Sequence, residues 1–251
     1  MKFSYSAIWA DVMALLKRHG ALVAAIAGVF LFLPALLLGY FAPLPPAEEG
    51  RNMIEAITAH YRENAHWFLL ISFVSMIGTL GIMYLVFRPN VTVGGAIAAG
   101  AAMFPFYFIA SFLASFLIGI GLLLFLVPGI YLFGRLAPLA AVMAAENLRN
   151  PIEALRRTWA VTRGKGWAVI GIFLLVGLAG AVLVSVATSI LGIIIALALP
   201  RELAHFLNLL ISTSATTALQ VVLILLYAAV YRALVAGAGQ APAADGETTG
   251  S

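Results

Sequence analysis

Groups able to do chemistry are few in this chain, and they are scattered. Cysteine is absent, which removes thiolate nucleophiles, disulfides and sulfur-ligated metal sites. The four histidines, His19, His60, His66 and His205, show no metal-ligand spacing. His60 and His66 sit with Glu55 and Glu63, and an amphipathic helix over Asn52–Asn64 would gather them on a solvated face. Val93-Gly94-Gly95 lacks both the preceding strand and the GK[ST] ending of a phosphate loop. Nucleophile elbows, zinc signatures and paired intramembrane carboxylates are missing. The expectation is a protein without enzymatic activity, cofactor, metal or nucleic-acid partner.

Polar residues inside apolar stretches are the other source of chemistry. Asn208, Ser212, Thr216 and Gln220 recur every four residues and so form one helical stripe, with Thr213 and Thr217 beside it. Ser72, Ser75 and Thr79 form a shorter one, and Tyr107, Ser111, Ser115 and Gly119 another. Small and hydroxyl residues let helices approach and exchange hydrogen bonds worth about 0.6–2 kcal/mol, so packing is the expected role. A transport path for a small solute or lipid along the last stripe is the alternative. No aspartate or glutamate lies clear of the ends of these stretches, which argues against proton- or sodium-coupled transport. Arg135 is the one charge well inside an apolar stretch. Its stem is expected to snorkel outward, or else to meet a carbonyl freed by Pro138.

The elements that must carry these groups follow from solvent. Val91–Ala145 runs 55 residues with a single formal charge, enough for two crossings of a bilayer at about 20 apolar residues each. Hydrophobic residues make up 63% of the chain and charged residues 10%, against about 25% charged in soluble domains. Charge gaps place spans near Gly20–Ala42, Ala65–Phe87, Pro105–Val127, Ile130–Ala145, Trp167–Leu191 and Leu207–Tyr231. Backbone amides in hydrocarbon must pair internally, so the spans are helices. The expected fold is all-α: a polytopic integral membrane helical bundle of about six transmembrane helices in one domain, 1–235. The fourth span is short and holds Arg135 and Pro138; without it five crossings remain and the C-terminus changes side.

Orientation follows lysine and arginine. With six crossings, ten lie on one side, including Lys2, Arg88, Arg149 and Arg232, and three on the other, Arg51, Arg62 and Arg201. Both termini are therefore expected in the cytoplasm of a bacterial cell, with the protein in its cytoplasmic membrane. No cleavable signal peptide is expected, because the apolar run after Lys17 is too long for one. Residues 236–251 are rich in Gly, Ala, Pro and Thr and are expected to be disordered. Trp9, Trp67, Trp159 and Trp167 stand where interfacial anchors belong.

Between the fourth and fifth spans lies a basic amphipathic segment. Asn150-Pro151 opens a helix, since Asn caps and Pro is tolerated at the first helical position. The helix runs Ile152–Arg163 and stops at Gly164. Ile152, Leu155 and Trp159 are assigned to its membrane face and Arg149, Glu153, Arg156 and Arg163 to the other, with Arg157 at the border. Such a helix rests in the headgroup region. Arg156, Arg157, Arg163 and Lys165 are the expected headgroup contacts, and anionic phospholipid the expected partner, at about 1 kcal/mol per basic group near the surface. Partner membrane proteins are a further expectation. Tyr5–Lys17 and Thr92–Met103 have the same place ahead of a hairpin, which suggests three units, each an in-plane cytoplasmic helix feeding two crossings.

One region carries a family resemblance. Val127-Pro128-Gly129-Ile130-Tyr131, Arg135-Leu136, Pro138, Glu146-Asn147-Leu148, Pro151 to Trp159 and Thr162-Arg163-Gly164 follow in order. This pattern resembles the YciC-type bacterial inner-membrane proteins and the related membrane domain of some glycerophosphodiester phosphodiesterases. Thr158 stands where serine is commoner in that pattern. The resemblance covers about Leu126–Ile170. It implies a six-helix inner-membrane protein with a part in envelope or phospholipid homeostasis. In the phosphodiesterase fusions a separate soluble barrel does the hydrolysis, and no stretch here is long enough to form one.

Overall fold

The computed structural model describes residues 4–43 and 52–238. Among the described residues the chain is helical throughout, without a strand. Six stretches are long and apolar enough to cross a membrane: Tyr5–Phe41, Ala65–Phe87, Val93–Leu124, Leu126–Glu146, Gly166–Ala198 and Arg201–Gly237. The chain is thus an all-α, multi-pass membrane protein.

The first stretch is one continuous rod. Helix α1 (Tyr5–Ala27) passes through a single π-helical segment, Gly28–Phe32, into α2 (Leu33–Phe41). Ser4 caps its start by accepting from the Ala7 N–H. Tyr5–Lys17 is therefore not a separate in-plane helix, as the spacing suggested; the backbone ladder continues through Gly20. Ile8, Val12 and Leu15 are buried against the bundle. Asn52 caps α3 (Met53–Glu63), the amphipathic helix expected there. Helix α4 (Ala65–Phe87) follows almost without a break.

Helix α5 (Val93–Leu124) starts at Thr92, whose hydroxyl accepts from the Gly95 N–H. It runs through Pro105. Thr92–Met103 is accordingly the first part of this long helix, a second departure from the three-unit plan. The fourth stretch is broken at Ala137-Pro138 into α6 (Leu126–Leu136) and α7 (Leu139–Glu146), since proline lacks the N–H that would continue the ladder. Asn147 ends α7 in the left-handed region (φ 54°). Helix α8 (Pro151–Val161) is the one separate short amphipathic helix of the three expected. A turn with Gly164 at φ 70° leads into α9 (Gly166–Ala198), and α10 (Arg201–Ala238) completes the described chain. Ala236–Ala238 belong to α10; the rest of the expected disordered tail, 239–251, lies outside the described residues, as do Lys2 and Arg51 of the charge count.

Lipid tails are as apolar as leucine, so close backbone approach holds such a bundle together more than apolar burial does. Glycines mark the contacts. A methyl on Gly100 of α5 would lie 2.8 Å from the Gly81 backbone nitrogen of α4. One on Gly134 of α6 would lie 2.9 Å from the Gly166 carbonyl of α9. The tightly packed core gathers single residues from all the long stretches, among them Ile26, Met83, Met103, Met143, Ile172 and Leu225. By contrast most of α9 beyond Phe173 is exposed, as a hairpin arm facing lipid must be.

Candidate functional site

The residues joining α6 to α9 form one polar assembly, with Arg135 at its centre. Arg135 is 4% exposed. Its Nε donates to Thr162 Oγ1 at 2.9 Å, and Nη1 donates to the Tyr131 hydroxyl at 2.9 Å. Nη2 donates to the Trp159 carbonyl. The guanidinium also lies over the Trp159 ring, 3.9 Å from its centroid. The expected outward snorkelling does not occur, and the carbonyl engaged belongs to α8 rather than to the turn freed by Pro138. A planar fork that fills three of its donors within the protein gains more than a stem stretched toward water. Arg135 thus ties α6 to the end of α8.

The face α8 turns to the bundle lies opposite Ile152 and Trp159. Ala154, Thr158 and Thr162 are buried, while Ile152 is 64% and Trp159 42% exposed. The buried face carries small residues that permit close contact. Thr158 Oγ1 donates to the Ala154 carbonyl of its own helix at 2.7 Å, while Thr162 Oγ1 lies 2.8 Å from the Thr158 carbonyl and also accepts from Arg135. Ile152, Arg156 and Trp159 are spaced four and three apart, which puts them on a single outward face, and exposed Arg163 follows just past the helix end. Basic and apolar side chains therefore alternate along one face instead of segregating to opposite ones.

Of the expected headgroup contacts, Arg156, Arg163 and Lys165 are exposed, with no ion-pair partner among the described residues. Arg157 differs. Its Nε donates to both Glu146 oxygens, at 2.9 and 2.8 Å. This hydrogen bond, helped by the carboxylate charge, holds the Arg157 pKa above its ordinary value. Glu146 also accepts from the Tyr231 hydroxyl at 2.9 Å, so one carboxylate joins α7, α8 and α10. Arg232 of α10 ties in two more helices: it pairs with Asp11 of α1 at 3.3 Å and donates to the Val86 carbonyl of α4. Beyond α8, a cleft of about 460 Å³ opens between Val127, Pro128, Tyr131, Gly164, Gly166 and Trp167. Trp167 and Tyr131 face each other across it with ring centroids 5.8 Å apart. All four tryptophans, Trp9, Trp67, Trp159 and Trp167, are exposed.

The stripe on α10 has a different character. Ser212 Oγ donates to the Leu209 carbonyl and Thr216 Oγ1 to the Ser212 carbonyl, at 3.1 and 2.8 Å. Asn208 alone reaches across, at 3.5 Å to the Gly192 carbonyl of α9. Thr216 and Gln220 are exposed on the helix surface. The hydroxyls are thus occupied by backbone of the same helix, as hydroxyls in hydrocarbon are. Among the histidines, His60 packs against Phe68 and approaches the Asn64 amide at 3.4 Å. Among the described residues no group of three His, Asp or Glu side chains is placed to hold a metal ion.

Sequence reasoning gave no part in a polar assembly to Tyr131, Thr158, Thr162, Glu146 or Tyr231, although all but Tyr231 stand in the family pattern. The one signal was Glu146, a lone carboxylate closing a long apolar run. No protein-family model matches this chain, and no curated protein or solved structure is similar to it.

Proposed function

We propose that this chain is a non-enzymatic protein of a bacterial cytoplasmic membrane, which recruits or orders anionic phospholipid at the cytoplasmic face. The observation that carries this reading is the outward face of α8. Arg156 and Arg163 there lack carboxylate partners among the described residues, and they alternate with exposed Ile152 and Trp159. Lys165 follows in the turn. Exposed apolar groups favour the acyl boundary and exposed guanidinium groups favour phosphate, so an alternating face suits the headgroup layer. The other face is fixed to the bundle through Arg135, Thr162 and the Glu146–Arg157 pair. Such a helix is held in place before lipid arrives, which spares the ordering cost of binding.

The lysine and arginine asymmetry supports the cytoplasmic placement. The resemblance of Leu126–Ile170 to YciC-type proteins supports a role in envelope or phospholipid homeostasis. Arg157 is left out of the headgroup set, because its charge is already engaged by Glu146. The test is reconstitution in vesicles of mixed phosphatidylcholine and phosphatidylglycerol. Anionic lipid should be enriched around the native protein. Arg156→Gln/Arg163→Gln/Lys165→Gln should lose about 3 kcal/mol of that preference, at about 1 kcal/mol per group. An unchanged preference would count against the reading.

A further inference from the structure

We propose a phosphate-binding cleft at the α4–α5 corner, formed by Arg88, Arg149, Asn147 and Tyr84. It stands apart from the lipid reading above, since none of these residues belongs to the outward face of α8. The cleft has a volume of about 170 Å³ and is lined by Tyr84, Arg88, Gly95, Asn147 and Arg149, with apolar residues of α5 as its floor. That is room for about five waters at roughly 30 Å³ each, or for one tetrahedral oxyanion.

Its chemistry is one-sided. Neither arginine has an ion-pair partner among the described residues, unlike Arg157 and Arg232. The Arg88 guanidinium stacks over the Tyr84 ring at 5.4 Å, which fixes it at the rim. The Tyr84 hydroxyl donates to Asn147 Oδ1 at 2.8 Å. That bond fixes Asn147 Oδ1 as the accepting end of the amide toward Tyr84 and leaves its N–H groups as donors. Asn147 holds a left-handed backbone (φ 54°), so the turn that presents it is specialised. No carboxylate lines the cleft. Two guanidinium groups and an amide, all donors around one small space, are the arrangement that recognises phosphate oxygens. The positive end of α5, with no acidic residue in its first turn, opens on the same side.

The phosphate could belong to a lipid headgroup or be free in the cytoplasm, and the experiment separates them. The full chain is purified in a neutral detergent, and its Tm is followed with inorganic phosphate against chloride at constant ionic strength. A second titration uses micelles doped with phosphatidic acid against phosphatidylcholine. A saturable rise with inorganic phosphate assigns the site to the free ion. A rise only with phosphatidic acid assigns it to a monoester headgroup. Arg88→Gln/Arg149→Gln should weaken the apparent affinity at least tenfold, whereas Arg156→Gln/Arg163→Gln should leave it unchanged. Arg149→Gln alone, in an exposed turn where folding is not at stake, should weaken it at least threefold. No saturable response of the native chain to either probe, or an Arg149→Gln response equal to native, would overturn the proposal.

Discussion

Arg135 Nε stands 2.9 Å from Thr162 Oγ1, across 27 residues of chain, and the same hydroxyl lies 3.0 Å from the Arg135 carbonyl. The two residues make contact through side chain and backbone together. The turn that ends α8 is thereby locked to the middle of the fourth apolar stretch. A charge that looks anomalous in an apolar run is the bolt that fixes a surface helix.

Removing that bolt should be costly. Arg135→Met leaves the Trp159 carbonyl and the Tyr131 and Thr162 hydroxyls without their donor. Hydrogen bonds from a charged group contribute about 1.5–3 kcal/mol each net, part of which is offset by no longer burying the charge, so a loss of about 2–4 kcal/mol is expected. Arg135→Lys should recover less than half, because a point charge cannot reach three acceptors set for a planar fork. Thermal unfolding in detergent checks both variants.

The Glu146–Arg157 pair is only partly buried, so solvent screens it. A double-mutant cycle with Glu146→Gln and Arg157→Met should give a coupling of about 0.5–1 kcal/mol. Glu146→Gln should still raise amide hydrogen exchange across α8, because Glu146 is the group on α7 that holds Arg157 of α8.

Gly100→Val should separate α4 from α5. Even the first carbon of the new side chain would meet the Gly81 nitrogen at 2.8 Å and the Ile77 carbonyl at 3.0 Å, both backbone atoms that cannot turn aside. Overpacking of this kind costs about 1–3 kcal/mol or more. A Cβ at Gly94 meets nothing within 4 Å, so Gly94→Val serves as the control. Loss of Tm in the first and not in the second is the expected result.

The α10 stripe should tolerate loss of its hydroxyls. Ser212→Ala and Thr216→Val remove groups bonded to their own helix and should each shift stability by less than about 0.5 kcal/mol. A large loss of a measurable flux from a variant that still folds would restore the transport alternative.

Much of this fold is legible in charge gaps alone, because hydrocarbon forces both span length and helical backbone. The Pro138 break and the Asn150–Pro151 cap are equally local and equally visible. The continuity of Tyr5–Ala27 and of Val93–Leu124 is less so. Amphipathic spacing reads the same whether a helix lies in the headgroups or packs its apolar face on neighbouring helices, as Ile8, Val12 and Leu15 do. The orientation of α8 is hidden for another reason. Spacing does not show which residues of α8 meet the bundle, because contact between helices selects small side chains such as Ala154 and Thr158. Arg135 and Glu146 are visible as isolated charges, yet apart from Tyr131, four residues from Arg135, their partners lie 11 to 85 residues away, and only packing brings them together.

Because the chain has no cysteine, a single Ile152→Cys substitution gives a unique attachment point on the outward face of α8. A nitroxide placed there, in vesicles containing phosphatidylglycerol, reports its depth by its relative accessibility to oxygen and to a water-soluble relaxant. The predicted depth is the phosphate layer, with stronger broadening by headgroup-labelled phosphatidylglycerol than by labelled phosphatidylcholine. A label as open to water as one in a free loop, or one indifferent to the charge of the neighbouring lipid, would contradict the account.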